Sequence, residues 1–421
     1  MSKKGYGLLM ALAGLVSVSA NAQIKCGTDA YIKQLEQQDP AFASRRAQIE
    51  DDITKAAEAS RFVKQPKQVI TIPVVFHVVY RTDQENISDE QIMSQLQTLN
   101  QDFRKQNSDT INIPAGFAGR AADTEFQFCL AHTDPDGYYT SGITRTRTSV
   151  VTFTQNDDFV KFSDKGGRGA WDPQNYLNIW VCNLENLIIG YSSVPGSSQL
   201  TDGVVIDFEA TGSIGTAKAP YNRGRTLTHE MGHWFGLRHI WGADNQQCGS
   251  DLVHDTPEQM EANFGCKTYP HRPNSCDKIN PHGDMFMNFM DYSNDACMHM
   301  FTLGQKTRMA ATFNTWHSAL KNSMACADGN VNPQPPQEEL ISIYPIPATK
   351  RLTFSFAENK TAGPYRIVIY DQVGRKISEQ FAEALLDNKL YTNISHFSAG
   401  IYTAAIEANG LTERRQFVVI H

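Results

Sequence analysis

In Thr228-His229-Glu230-Met231-Gly232-His233-Trp234-Phe235-Gly236-Leu237-Arg238-His239, two histidines stand one helical turn apart, which constrains the fold more than any other stretch. Residues four apart on a helix share a face, so His229 and His233 can offer two imidazole nitrogens to one zinc ion at about 2.1 Å. Glu230 then stands beside the metal, placed to take a proton from water there. Gly236 accepts the left-handed conformation that ends a helix sharply, and the turn swings His239 back as a third ligand. Three protein ligands leave one coordination position open, which marks a catalytic rather than a structural zinc. The bland alternative is an amphipathic helix with satisfied core histidines. Against it, the chain has 12 histidines and 29 glycines in 421 residues, so the five fixed positions recur by chance on the order of 10⁻⁴ times per chain.

A methionine turn beneath the metal completes the metzincin signature, and Asn288-Phe289-Met290-Asp291-Tyr292 supplies a candidate. From about Cys26 to about Lys321 the chain resembles the pappalysin family of metzincin peptidases. That resemblance implies that Met290 floors the zinc site and that Tyr292 stabilises the oxyanion; packing in the core is the alternative for both. It also sets Gly203 to Asp207 at the upper rim of the cleft, where an extended peptide adds as a strand along Gly203, Val204 and Val205. Asp295 falls on the loop that lines the family's pocket for the residue after the scissile bond. A fixed carboxylate there selects arginine or lysine, so cleavage before basic residues is expected, with self-processing at Ser60-Arg61 and Leu320-Lys321. An exposed loop acid is the alternative.

At the start of the chain, Lys3 and Lys4, the apolar run Leu8 to Val18 and Ala20-Asn21-Ala22 read as a secretory signal over residues 1–22. No other segment is long and apolar enough to cross a membrane. The net charge of −7, without a basic block, argues against nucleic acid as a partner. Residues 23–60 are polar and charged, which predicts a weakly packed arm. The family likeness makes this arm a pro-segment and Lys25-Cys26-Gly27-Thr28 a cysteine switch, with Cys26 on the zinc until the arm is cut. The chemistry suits a soft thiolate ligand, although Cys26 in a disulfide is the competing reading.

Residues 61–326 form the catalytic domain. Val69 to Tyr80 is strand-like, Ser88-Asp89-Glu90-Gln91 is a capping box, and Ile92, Leu96, Leu99 and Phe103 recur at helical spacing. His77 reads as a core histidine. Further strands are expected at Phe126 to Ala131, Leu177 to Leu184 and Gly203 to Phe208. The expected fold is α+β: a mixed, twisted sheet covered by the zinc helix, then an irregular C-terminal subdomain and a small all-β sandwich.

Export permits disulfides among the eight cysteines. Four of them, Cys248, Cys266, Cys276 and Cys297, allow three pairings; the family pattern favours Cys248-Cys276 and Cys266-Cys297. Cys129 and Cys182 can pair if their strands are neighbours, and Cys326 has no predicted partner. In Asp251-Leu252-Val253-His254-Asp255-Thr256 the hard oxygen ligands suit calcium. The resemblance favours Asp251, the Val253 carbonyl and Thr256, while an Asx or Thr turn explains the same residues.

Residues 327–339 are a stiff proline-rich linker. Beyond it, over 340–421, the apolar period becomes two, at Ile341 to Tyr344, Leu352 to Phe356, Tyr365 to Tyr370, Ile401 to Ile406 and Phe417 to Ile420. Tyr344-Pro345-Ile346-Pro347-Ala348, Val373-Gly374-Arg375-Lys376 and Ala399-Gly400-Ile401-Tyr402 resemble a type IX secretion sorting domain, with Ile346 standing where asparagine is usual. The rival is an adhesive or carbohydrate-binding module.

The expectation is a secreted, monomeric zinc endopeptidase, made latent, with calcium as a second cofactor and with peptides and the type IX machinery as partners. A gluzincin-like peptidase with a glutamate as third ligand and a silent surface adhesin are the alternatives.

Overall fold

The computed structural model describes residues 25–60, 68–185, 188–242, 248–277, 279–327, 341–356, 364–372, 374–385, 388–408 and 411–420. The expected signal, Arg61 and residues 328–339 of the expected linker lie outside these. The chain divides into two compact units, Met1–Val331 and Asn332–His421.

The first unit runs β1 (Lys25–Cys26), α1 (Thr28–Gln38), α2 (Pro40–Ser60), β2 (Ile70–Tyr80), α3 (Asp89–Phe103), the single turn α4 (Ala115–Ala118), β3 (Phe126–Leu130), β4 (Ile143–Arg147), β5 (Leu177–Cys182), β6 (Ile188–Ser192), β7 (Val204–Asp207), α5 (Arg225–Trp234) and α6 (Leu303–Trp316). Its sheet has the order β1-β6-β7-β5-β2-β3, with β4 also on β2. The β-branched run of β2 suits a strand buried on both faces. It pairs in parallel with β3 and then β4 along one edge and with β5 along the other. His77 sits in β2 as a fully buried core residue, its ring nitrogens 2.7 Å from Thr144 Oγ1 and 3.0 Å from Asn178 Oδ1.

Ser88 caps α3 through a 3.2 Å bond from the Gln91 amide, and Ile92, Leu96, Leu99 and Phe103 bury the predicted face against Leu227, Met231 and Trp234 of α5. The zinc helix is thereby clamped between α3 and the sheet. α6, absent from the sequence reading, opens on a full capping box between Thr302 and Gln305.

Two expectations are overturned by this topology. β7 is flanked by β5 on one side and β6 on the other, so Gly203, Val204 and Val205 have no free edge on which a peptide can add. Outside the arm the edge belongs to β6, which makes with β7 the antiparallel pairing of an otherwise parallel sheet, and β1 of the arm already lies along it in parallel. Likewise Cys129 and Cys182 do not pair, because β2 stands between β3 and β5. Cys129 instead bonds Cys326, Cα–Cα 6.1 Å, tying the end of the unit to β3, and Cys182 is a buried free thiol. Cys248-Cys276 and Cys266-Cys297 form as the family pattern has them.

The arm is anchored rather than weakly packed. Tyr31, Phe42 and Ile53 are each at most 2% exposed, and average composition hides three such well-spaced anchors among many charges. Tyr31 donates to Asp158 Oδ2 at 2.8 Å while Tyr191 donates to Oδ1 at 2.7 Å. The buried Lys161 ammonium lies 5.0 Å over the Tyr31 ring and donates to the Thr201 carbonyl at 2.8 Å. A buried ion pair is tolerable only when its remaining valences are filled, and Tyr31 fills one.

The second unit is a small antiparallel sandwich. Strands β8 (Ile341–Tyr344), β9 (Arg351–Phe356) and β12 (Lys389–Asn393) make one sheet, and β10 (Tyr365–Tyr370), β11 (Lys376–Ala382), β13 (Gly400–Ala408) and β14 (Leu411–Val419) the other. Leu352, Phe354, Ile367, Ile369, Ile406 and Phe417 share its core.

Removing Tyr31 tests the anchor. Tyr31→Ala should destabilise the precursor by about 3–5 kcal/mol in a urea melt, and Tyr31→Phe by about 1 kcal/mol.

Candidate metal centre and cleft

Helix α5 is buried along its whole length and held at its first residue. Gly224 precedes it at φ 73°, a left-handed turn that a side chain would strain. Arg225 donates to both Asp109 oxygens (2.5 and 2.8 Å), to Asp102 Oδ1 at 3.3 Å and to the Asp295 carbonyl at 2.8 Å. Thr228 donates to the other Asp102 oxygen at 2.8 Å. Burial pushes the Asp102 carboxyl up to about 7 against the pull of Arg225.

One turn on, the three histidines meet. His229 Nε2 is 3.2 Å from His233 Nε2 and 3.2 Å from His239 Nε2, and the last two are 3.1 Å apart. Each ring is oriented from behind: His229 Nδ1 donates to the Phe289 carbonyl (2.7 Å), His233 Nδ1 to the Leu237 carbonyl (2.9 Å) and His239 Nδ1 to Asp29 Oδ2 (3.1 Å). With the proton on Nδ1, the Nε2 atoms face one another as lone pairs, which repel unless a cation lies between them. Burial keeps His229 and His233 neutral, the latter pulled down to about 3. Four ligands at about 2.1 Å around a tetrahedral zinc are about 3.4 Å apart, so the observed spacing fits that ion. Cys26 Sγ joins the three, all four ligand atoms lying within 4.8 Å of one another.

The chain reaches His239 through Gly236, at φ 74° with the Thr312 hydroxyl 2.7 Å from where a Cβ would be. Beneath the site, Met290 is fully buried, its Sδ 2.2 Å from a Cβ built on Gly232. The turn carrying it is fixed by Asn288, whose Oδ1 accepts from the Met290 amide (2.9 Å) and whose amide group exchanges two hydrogen bonds with Gln305 of the α6 cap.

Glu230 lies above, buried, its carboxyl pushed up to about 7 by burial. Gly190 of β6 packs on it so closely that a Cβ there would come 2.9 Å from Glu230 Cγ. The arm occupies the same carboxylate: Thr28 Oγ1 donates to Oε2 at 2.8 Å and Cys26 Sγ at 3.4 Å, and the Thr28 oxygen accepts from the Ser192 amide of β6 at 2.9 Å.

Tyr292 packs edge-to-face on His239, ring centroids 4.9 Å apart, and its hydroxyl meets Cys26. Asp295 lies in the pocket beside it with Tyr221, Thr226, Asp291 and Ser293. It is 1% exposed, so it is not a loose surface acid. Its Oδ2 accepts from the Arg223 (2.7 Å) and Arg225 (3.3 Å) amides, and burial pushes it up to about 6. Away from the cleft, Thr256 Oγ1 sits 2.8 and 2.9 Å from the Asp251 oxygens and 3.0 Å from the Val253 carbonyl. The three candidate calcium ligands thus come together.

The sequence alone gives no role to Asp29 or Gly190, and it carries Thr28 and Asn288 only as members of the Cys26 and Met290 motifs. The pattern Ile188-Ile189-Gly190-Tyr191 carried a strand signal for β6, but nothing local tied it to the zinc helix.

Residues 161–314 match the peptidase M43 family, described as Pregnancy-associated plasma protein-A, and residues 342–420 match the secretion system C-terminal sorting domain. An extracellular metalloprotease of Pyricularia oryzae is 29% identical over 74% of this chain and 95% of its own. Among solved structures, a Glu-to-Ala mutant of Tannerella forsythia promirolysin is 44% identical, covering 72% of this chain and 97% of its own at TM-score 0.65. Mature mirolysin of the same organism, in complex with a cleaved peptide, is 49% identical over 62% of this chain and 97% of its own, at TM-score 0.59.

The two close glycines separate support of the metal from support of the base. Gly232→Ala should displace Met290, cost about 1–3 kcal/mol and lower the metal content measured by mass spectrometry. Gly190→Ala should leave metal content intact and cut peptide hydrolysis about 10–100-fold by shifting Glu230.

Proposed function

The chain belongs to the pappalysin family of metallopeptidases, and from that premise we propose that it is a zinc endopeptidase made as a latent precursor and cutting before arginine or lysine. It is a secreted metalloprotease with a C-terminal sorting domain for type IX export. The convergence of three outward-anchored Nε2 atoms carries the zinc assignment. Zinc, when held by His229, His233 and His239, supplies a Lewis acid that polarises the scissile carbonyl and lowers the pKa of water.

The chain's own groups do the rest. Glu230 takes the proton of the attacking water and returns it to the departing amine. Tyr292 turns its hydroxyl to the oxygen that gains charge. Substrate lies along the β6 edge, and the Asp295 carboxylate pairs with the basic side chain that follows the scissile bond.

Residues 1–22 direct export, residues 23–60 are the pro-segment, residues 61–326 the catalytic domain, and residues 340–421 the exported sorting sandwich after a linker at 327–339. Cys26 serves as the latency ligand, supported by its place among the histidines. Calcium at Asp251, the Val253 carbonyl and Thr256 belongs to the same reading, supported by their converging oxygens. Of the proposed self-processing sites, Lys321 is exposed on the turn Ser318–Asn322, and Arg61 lies outside the described residues.

In the mature enzyme, Glu230→Ala should keep zinc and fold while turnover falls by about 10²–10⁴-fold or more; retained proteolysis contradicts the mechanism. Asp295→Ala should abolish the preference for basic residues in terminal sequencing of a digested peptide pool. In the precursor, Cys26→Ala should raise peptide cleavage before any trimming of the arm above that of the wild-type precursor yet leave it below that of the trimmed enzyme, because Thr28 still holds Glu230.

A further inference from the structure

The arm supplies the counter-charge of two arginines that belong to the enzyme. Glu50 of α2 accepts at Oε1 from Arg238 Nε (2.8 Å) and Arg308 Nη2 (3.3 Å), and at Oε2 from Arg238 Nη2. Thr54, one turn on, accepts from Arg308 Nη1 at 3.0 Å. Arg308 is buried and stays fixed to the enzyme by its Nε, which donates to the Gly236 carbonyl at 2.8 Å. Among the described residues, no carboxylate outside the arm hydrogen-bonds either guanidinium. Removing the arm therefore leaves a two-arginine fork without its hydrogen-bonded carboxylate, with Arg308 still tied to the Gly236 carbonyl and Asp251 of the enzyme acting on it through charge without a bond.

The fork faces a cavity between the arm and the enzyme, whose enzyme wall includes His233, His239, Val194, Pro195 and Gly236 and whose other wall is Asp29 and α1 and α2 of the arm. The pocket holding Asp295 is lined instead by His229, Glu230 and Tyr292. The two cavities share no lining residue and meet the metal site at different ligands. If Asp295 receives the side chain after the scissile bond, the arginine fork receives one before it.

We propose that in the mature enzyme Arg238 and Arg308 form a subsite for the carboxylate of a substrate aspartate or glutamate on the N-terminal side of the cut, the position Glu50 holds in the precursor. The chemistry is a bidentate guanidinium–carboxylate pair, which Glu50 already makes with Arg238. This assignment rests on the endopeptidase reading above.

The test uses the mature enzyme and a peptide series with arginine after the cut and Glu, Gln or Lys at each of the preceding four positions. At one position kcat/KM for Glu should exceed that for Gln by about tenfold, with Lys poorer still. In Arg238→Gln that ratio should fall to about one; in Arg238→Lys, which keeps the charge but loses the fork, it should fall to an intermediate value. Equal rates for Glu and Gln in the wild type overturn the subsite, as does an undiminished ratio in either variant. Failure to cut any peptide of the series overturns the endopeptidase reading instead.

Discussion

Three imidazole nitrogens held within 3.2 Å of one another are the constraint around which the catalytic unit is built. Neutral rings do not gather their lone pairs unaided, and each is held there by a carbonyl or carboxylate on its far side. The supports come from different parts of the chain: Phe289 from the methionine turn, Leu237 from the bend after α5, and Asp29 from the arm. Consequently the site assembles only when the fold does. The buried polar groups around α5 follow the same logic, since Arg225, Asp102 and Thr228 fix the first turn of the helix whose later turns carry His229 and His233.

The arm covers the site at several points. β1 lies on the sheet edge, Thr28 engages both the base and a β6 amide, and Asp29 completes the orientation of a histidine. Its helices then add the Tyr31 plug and the Glu50 clamp. Contact between the arm and the site is thus distributed: loss of the Cys26 thiol alone leaves several others in place.

What could be read from the residues depended on how local each constraint was. The ligands, the base and the bend fall in one short segment, so periodicity and a glycine sufficed for them. The main strands and α3 were legible from their apolar runs and the Ser88 cap. By contrast, the edge strand was misplaced from β6 to Gly203–Val205, because order within a sheet is set by long-range pairing that leaves no mark on either strand. The Cys129–Cys326 bridge spans 197 residues and was invisible for the same reason. Anchoring of the arm was missed because Tyr31 meets a pocket assembled from Asp158, Lys161 and Tyr191, none of which its own neighbourhood reveals.

The bond from the Ser192 amide to Thr28 has a consequence beyond silencing the base. A bare sheet edge invites pairing with another copy of the chain and so promotes clumping. While the arm lies along β6, that invitation is closed. A chain that keeps its arm therefore keeps this border covered.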